Sequence, residues 1–171
     1  LINLSSVRVL FLSISRLFAV FWIKFKKKLR KIRRRQNIEN WHKVAEYAKK
    51  QGIKSIMWEP MSISREQGET ISECKKLQSD VNKSAPLPFK LCMDVDHGEL
   101  TSKDKRDIDP YHWLKVFAKD IKVVHLKQSL KDKGGHWPFT NKYNKLGKIF
   151  PDKVIDTLQK NGCKETDLIL E

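Results

Sequence analysis

Four residues stand where they could do chemistry. Glu59, Asp94, His125 and Glu171 each close a short apolar run: Ile53-Lys-Ser-Ile-Met-Trp58, Phe89-Lys-Leu-Cys-Met93, Ile121-Lys-Val-Val124 and Asp167-Leu-Ile-Leu170. Three carboxylates and an imidazole are hard oxygen and nitrogen donors, a set suited to one divalent metal ion. Carboxylates held at a metal can also carry protons to and from a bound substrate. Taken singly, each of the four reads equally well as a loop carboxylate or as a histidine satisfied by backbone. Four such placements on four successive runs are hard to obtain by chance.

The elements that must position these residues follow from periodicity. Ile38, Trp41, Val44, Ala45 and Ala48 fall on one helical face, and Gly52 supplies a stop before the first apolar run. Ile71, Cys74, Leu77 and Val81 predict a helix over residues 68–82, broken by Ser84-Ala-Pro-Leu-Pro88. Asp109-Pro110 is an N-cap followed by proline at the first helical position, and that helix carries Trp113, Leu114, Phe117 and Ala118 inward. Pro151 opens another helix with Val154, Ile155 and Leu158 inward, and Gly162 closes it. The order is helix–strand, four times over. Such alternation predicts a parallel sheet of right-handed βαβ units. In a parallel barrel the carboxyl ends of all strands open on one face, where functional side chains collect.

Residues 127–150 read as one long loop containing Gly134-Gly-His-Trp-Pro138. A connection longer than ~12–15 residues points to a lid or substrate loop, with His136 as a contact residue and Trp137 and Phe139 as wall or anchor. His42 and His112 are expected at the surface of helices, and Asp96 is expected to support the metal ligands.

The 171 residues carry 35 Lys or Arg, 20 Asp or Glu and a net charge of +15. The excess sits at one end. Arg8, Arg16, Lys24, Lys26, Lys27, Lys28, Arg30, Lys31, Arg33, Arg34 and Arg35 occur in residues 1–35 with no acid, which leaves 24 basic and 20 acidic residues in 36–171. The body of the chain is therefore an ordinary globular composition, and no nucleic-acid partner is expected for it. Residues 7–23 are apolar but short of the ~20 residues of a free membrane span, and Arg16 interrupts them at a cost of roughly 2.5–3.5 kcal/mol. The basic block could meet RNA or acidic lipid. The favoured reading of 1–35 is a helix with a solvated cationic face or a segment that does not belong natively to this fold, and membrane contact is not favoured. Cys74, Cys92 and Cys163 form no CxxC and no disulfide framework, which points to a reducing, cytoplasmic setting.

Several strings resemble a known family. Trp58-Glu-Pro-Met61, Asp94-Val-Asp-His97, Val123-Val-His125-Leu-Lys-Gln128 and Leu168-Ile-Leu-Glu171 are similar to the xylose-isomerase-like TIM barrels, a superfamily of sugar isomerases and epimerases that also includes endonuclease IV. The Asp-x-x-His pair and the two glutamates resemble ketose 3-epimerases of the tagatose type. Glu59-Pro-Met-Ser-Ile-Ser-Arg-Glu-Gln-Gly-Glu-Thr70 and Asp132-Lys-Gly-Gly-His-Trp-Pro-Phe-Thr140 resemble tetrulose-phosphate 3-epimerases more closely still, those acting on erythrulose phosphate among them. The likeness covers residues 36–171 and leaves out 1–35, so the chain is expected to comprise a basic, apolar N-terminal segment (1–35) and a partial barrel domain (36–171).

The resemblance implies an α/β fold, the C-terminal half of a (β/α)8 barrel with about four parallel strands. It implies one divalent ion (Mn2+, Mg2+, Co2+ or Zn2+) on Glu59, Asp94, His125 and Glu171, with Glu59 and Glu171 as the catalytic acid–base pair. His97 would contact the substrate oxygen beside the carbonyl. The tagatose-type pattern has Arg six residues after the metal histidine, where this chain has Lys131, with Lys127 and Lys133 nearby; lysines suit a phosphorylated substrate. It has Glu six residues after the first metal glutamate, where this chain has Arg65, a second phosphate candidate. The implied reaction is epimerisation of a ketose phosphate at C3 through an enediolate, in an enzyme whose full-length form could be homo-oligomeric. Aldose–ketose isomerisation uses the same logic, whereas an endonuclease IV-type metal cluster needs more histidines than the five present. A non-catalytic membrane- or RNA-associated chain is the remaining alternative. A four-stranded half-barrel is expected to expose strand edges and to be poorly active by itself.

Overall fold

The computed structural model describes residues 4–61, 66–96 and 102–171, with side chains described from residue 21 onward except at residue 23. Two compact units are present, residues 1–40 and residues 41–171. Helix α1 runs over Leu4–Lys50 and so begins in the first unit and ends in the second. Within the first unit, the Lys side chains of residues 24–31 and those of Arg33 and Arg35 are exposed, and Arg30 and Arg34 are half-buried. Among the described residues no helix is long and apolar enough to cross a membrane.

The second unit is built on a four-stranded sheet ordered β1 (Ile56–Trp58), β2 (Phe89–Asp94), β3 (Ile121–Leu126) and β6 (Asp167–Leu170). Every pairing is parallel. The connecting helices are α2 (Ile71–Asn82), α3 (Pro110–Phe117) and α5 (Pro151–Lys160). Parallel strands alternating with helices are the arrangement expected of part of an α/β barrel.

One sheet face makes the core. Leu91, Met93 and Val124 are fully buried there with Cys74, Leu77, Val81, Leu114, Phe117, Val154 and Leu158 from the helices. Trp41, from the end of α1, stacks on Phe89 and lies against Trp58, with ring centroids 5.8 and 5.7 Å apart. Trp58 also donates its indole N–H to Gln78 Oε1 (2.8 Å), and Gln78 Nε2 donates to the Phe89 carbonyl (2.8 Å). These two bonds satisfy buried polar groups and tie β1 and β2 to α2.

Several local expectations change. The strand before Glu59 starts at Ile56 rather than Ile53. Helix α2 starts at Ile71 rather than residue 68, because Gly68 has φ +92° and lies where a Cβ would meet the Trp58 ring at 3.0 Å. Thr70 and Asp107 then cap α2, accepting from the Glu73 and Ile71 amides. Val44 and Ile155, expected inward, are exposed, since each lies at the flank of its helical stripe. His42, expected at the surface, is half-buried with Nε2 2.8 Å from the Val81 carbonyl oxygen.

The largest correction concerns residues 127–150. They are not a structureless loop. They form an antiparallel hairpin, β4 (Gln128–Leu130) with β5 (Gly134–Trp137), followed by helix α4 (Asn141–Leu146). The turn is residues 131–133, and Gly134 and Gly135 open β5 directly after it with φ +62° and +89°. Buried Gln128 holds its base: Oε1 accepts from the Ser129 and Ile149 amides, and Nε2 donates to the Ile149 carbonyl and to Asn144 Oδ1.

Candidate functional site

Strand register decides which side chains share a face. Trp58 pairs with Leu91, so Glu59 and Cys92 follow at one level. A register shift after Leu91 skips Lys122 on β3, and from there Cys92 pairs with Val123 and Asp94 with His125. His125 pairs in turn with Ile169, and Glu171 lies two residues further on. Because side chains alternate along a strand, Glu59, Cys92, Asp94, His125 and Glu171 all project from the face opposite the helices. The sheet thus brings together all four residues singled out in the sequence.

They form two overlapping clusters. One ligand atom each from Asp94, His125 and Glu171 lie within 4.8 Å of one another, and the same holds for Glu59, Cys92 and His125. His125 belongs to both. Its Nδ1 is 3.7 Å from Glu59 Oε1 and its Nε2 is 3.3 Å from Cys92 Sγ. A divalent ion bound to oxygen or nitrogen at about 2.0–2.6 Å holds ligand atoms no more than about 4–5 Å apart. The donor types and spacing of each triad therefore fit one such ion, and His125 is common to both.

Lys127 departs from expectation. It is not a free cation for phosphate: it is buried, and its ammonium donates to Asp94 Oδ2 at 2.6 Å, His136 Nε2 at 2.8 Å and Glu171 Oε2 at 3.3 Å. Two residues beyond His125 on the same face, it points into the carboxylate cluster rather than toward solvent. Asp94 Oδ1 meanwhile accepts from the Asp96 amide at 2.7 Å, and Asp96 Oδ1 is held by Lys148 at 2.5 Å. The expected supporting position of Asp96 is thus made through its backbone N–H. His136, on β5, is exposed at the rim with Nδ1 3.7 Å from Glu171 Oε1. Lys131 and Lys133 are exposed in the hairpin turn. Arg65 and His97 lie outside the described residues.

Charge sets the protonation of the rim. Burial pushes the Glu171 carboxyl up, but hydrogen bonding with Asp94 and the adjacent Lys127 charge outweigh it and hold the group below the usual carboxylate range. The Cys92 thiol is pushed up to about 11, first by burial and then by the negative charges of Glu59, Asp94 and Glu171. Cys92 therefore stays protonated at neutral pH. In metal-free protein its alkylation by iodoacetamide is expected to be slow at neutral pH and to rise about tenfold per pH unit toward 11. Peptide mass spectrometry reads this directly, and labelling at the rate of a free cysteine at neutral pH would contradict the electrostatics.

Sequence reasoning missed Cys92, Lys148 and the buried role of Lys127. The first was within reach, since Cys92 stands two residues before Asp94 and must share its face. The others depend on chain segments that meet only in the folded unit.

Comparison with known proteins bears on the fold and the family. Residues 13–171 match the family model described as xylose isomerase-like TIM barrel. A curated relative, D-erythrulose 1-phosphate 3-epimerase of Brucella abortus (strain 2308), is 42% identical over 135 residues, covering 78% of this chain and 44% of the relative. The chain thus spans less than half the length of that relative. A crystal structure from Rhodospirillum rubrum ATCC 11170, described as a candidate xylose isomerase, superposes with a TM-score of 0.66 at 22% identity, over 78% of this chain and 44% of that one. That likeness concerns the fold. By the family match over residues 13–171 and the 42% identity to a curated member, this chain belongs to the xylose isomerase-like TIM barrel family.

Proposed function

We propose that residues 36–171 form the metal-binding half of a sugar-phosphate 3-epimerase acting on a tetrulose phosphate of the erythrulose phosphate type. The observation that carries this reading is the convergence of Glu59, Asp94, His125 and Glu171 at the carboxyl ends of four adjacent parallel strands. Its support in substrate is the curated relative, whose name states a 3-epimerase of D-erythrulose 1-phosphate.

The chemistry needs a proton removed from C3, beside the C2 ketone. When bound, a divalent ion on these four residues supplies Lewis acidity for the negative charge that develops on the substrate oxygens. Glu171 takes the C3 proton, and its lowered pKa keeps it ionised and ready as the base. The electron pair moves into the C2–C3 bond and charge moves onto the C2 oxygen, giving an enediolate. Glu59, from the opposite edge of the sheet, returns a proton to the other face of C3 and inverts it. His136 stands at the rim to meet a substrate hydroxyl. Lys131 and Lys133 carry the phosphate, since Lys127 is engaged by Asp94. Arg65 and His97 complete the substrate contacts in this reading.

The test follows metal and hydrogen together. Titration of the chain with Mn2+ is expected to give one ion per chain. His125→Ala should weaken it by more than the roughly 10–100-fold that loss of a supporting partner costs. In D2O, Mn2+-dependent deuterium incorporation at C3 of erythrulose phosphate, followed by NMR, is the expected signature, slow for half a barrel but faster than in the metal-free chain. Three ions per chain, or exchange that ignores Mn2+, would overturn the proposal.

A further inference from the structure

The basic end of the chain carries a feature that the barrel chemistry does not use. In helix α1, Phe21, Trp22, Phe25, Leu29 and Ile32 recur at spacings of three and four residues. At about 100° per residue they fall within one arc of about 100°. All five are exposed, from 66% at Phe21 to 37% at Leu29. Their rings already associate, Phe25 lying 6.4 Å from Phe21 and 6.0 Å from Trp22. The nine Lys and Arg of residues 24–35 occupy the rest of the helix circumference, and Glu39 is the first acid in the chain. Lys26 Nζ sits 5.6 Å from the Trp22 ring, at the border between the two faces.

An exposed apolar stripe this long is costly in water unless something covers it. The flanking charge selects the cover. With nine cations and no anion, residues 24–35 attract a dense negative surface. A nucleic acid would engage the cations and leave the Trp and Phe stripe in water. An anionic lipid surface engages both, with the apolar face at the headgroup–acyl boundary and lysine and arginine heads among the phosphates. Aromatic side chains are also the residue type favoured at that depth.

We propose that residues 21–35 of helix α1 lie in the plane of an anionic membrane surface, Phe21, Trp22, Phe25, Leu29 and Ile32 buried in it and the basic residues at its headgroups. The helix would then anchor the chain peripherally, without crossing the bilayer.

The test is co-sedimentation of the full chain with phosphatidylcholine vesicles, with and without phosphatidylserine. Binding is expected only with phosphatidylserine. Arg33→Gln with Arg34→Gln should weaken it by ~25-fold, about fivefold for each charge removed. Phe25→Ser should weaken it roughly tenfold through lost apolar burial. Phe25 and Arg33 are exposed and Arg34 is half-buried, and thermal unfolding of the variants, expected to match that of the parent chain, shows that the helix is kept. Equal binding to neutral vesicles would overturn the proposal. So would loss with the arginine pair but none with Phe25→Ser, the pattern of purely ionic attraction that transfer RNA would share. Conversion of a vesicle-indifferent dimer to monomer by Phe25→Ser would instead assign the stripe to a second copy of the chain.

Discussion

Asp94→Ala is expected to destabilise the chain by about 3–5 kcal/mol, because it strands the buried ammonium of Lys127. The Asp94 and Lys127 side chains are 0% and 2% exposed and 2.6 Å apart. The His136 ring nitrogen at 2.8 Å and Glu171 at 3.3 Å remain beside the ammonium, but the first carries no negative charge and the second is 40% exposed, so neither replaces the enclosed Asp94 carboxylate. Urea denaturation of metal-free protein measures the effect. The double variant Asp94→Ala, Lys127→Met should recover most of that stability, since a buried pair replaced by apolar groups is often neutral. It should not recover metal binding, since the Asp94 ligand remains absent. A single variant as stable as the parent would show that Lys127 finds solvent when Asp94 is gone, and would refute the enclosed pair. Lys127→Met alone should behave differently from loss of a phosphate contact: it should change stability in the absence of any substrate.

The second large effect concerns turnover. Glu171→Gln keeps the size and one oxygen of the side chain but removes the proposed base, so C3 deuterium exchange should slow by about 10²–10⁴-fold. Folding should change little, because Glu171 is exposed and its hydrogen bond to Lys127 is long. Glu59→Gln should cut C3 inversion by a similar factor while leaving wash-out of the C3 proton by Glu171 partly intact. Comparing exchange with inversion in the two variants separates the proton-removing residue from the proton-returning one. Equal exchange and equal inversion in both variants would place the acid–base pair elsewhere on the sheet. Lys131 and Lys133 belong to neither step, and their neutralisation should raise KM more than it lowers kcat.

How the site was legible is instructive. The order of helices and strands is a local property. Period-two and period-3.6 patterning, the Asp109 cap and the Gly52 stop lie within a few residues of the element they define, so they can be read along the chain. A residue closing a parallel strand must lie at the open end of the sheet, which made Glu59, Asp94, His125 and Glu171 readable as a group. The hairpin of residues 128–137 was not readable in that way. Its three- and four-residue strands are too short to show a period, and what pins it is Gln128 bonded to the Ile149 backbone, 21 residues away. Lys127 read as an available cation because lysines are almost always at the surface. Only the register of β3 turns it inward.

The sequence by itself determined the alternating α/β order, the four polar residues at the strand ends and the family resemblance. The tertiary structure decided the rest: that Lys127 neutralises Asp94, that Cys92 joins the cluster beneath His125, that a hairpin carries His136 to the rim, and that the apolar stripe of Phe21 to Ile32 stands exposed. The division has one physical cause. Periodicity and capping act between near neighbours, whereas ion pairing and burial depend on distances between residues 33 or more apart in the chain, as Lys127 is from Asp94, and those distances exist only once strand register has been set.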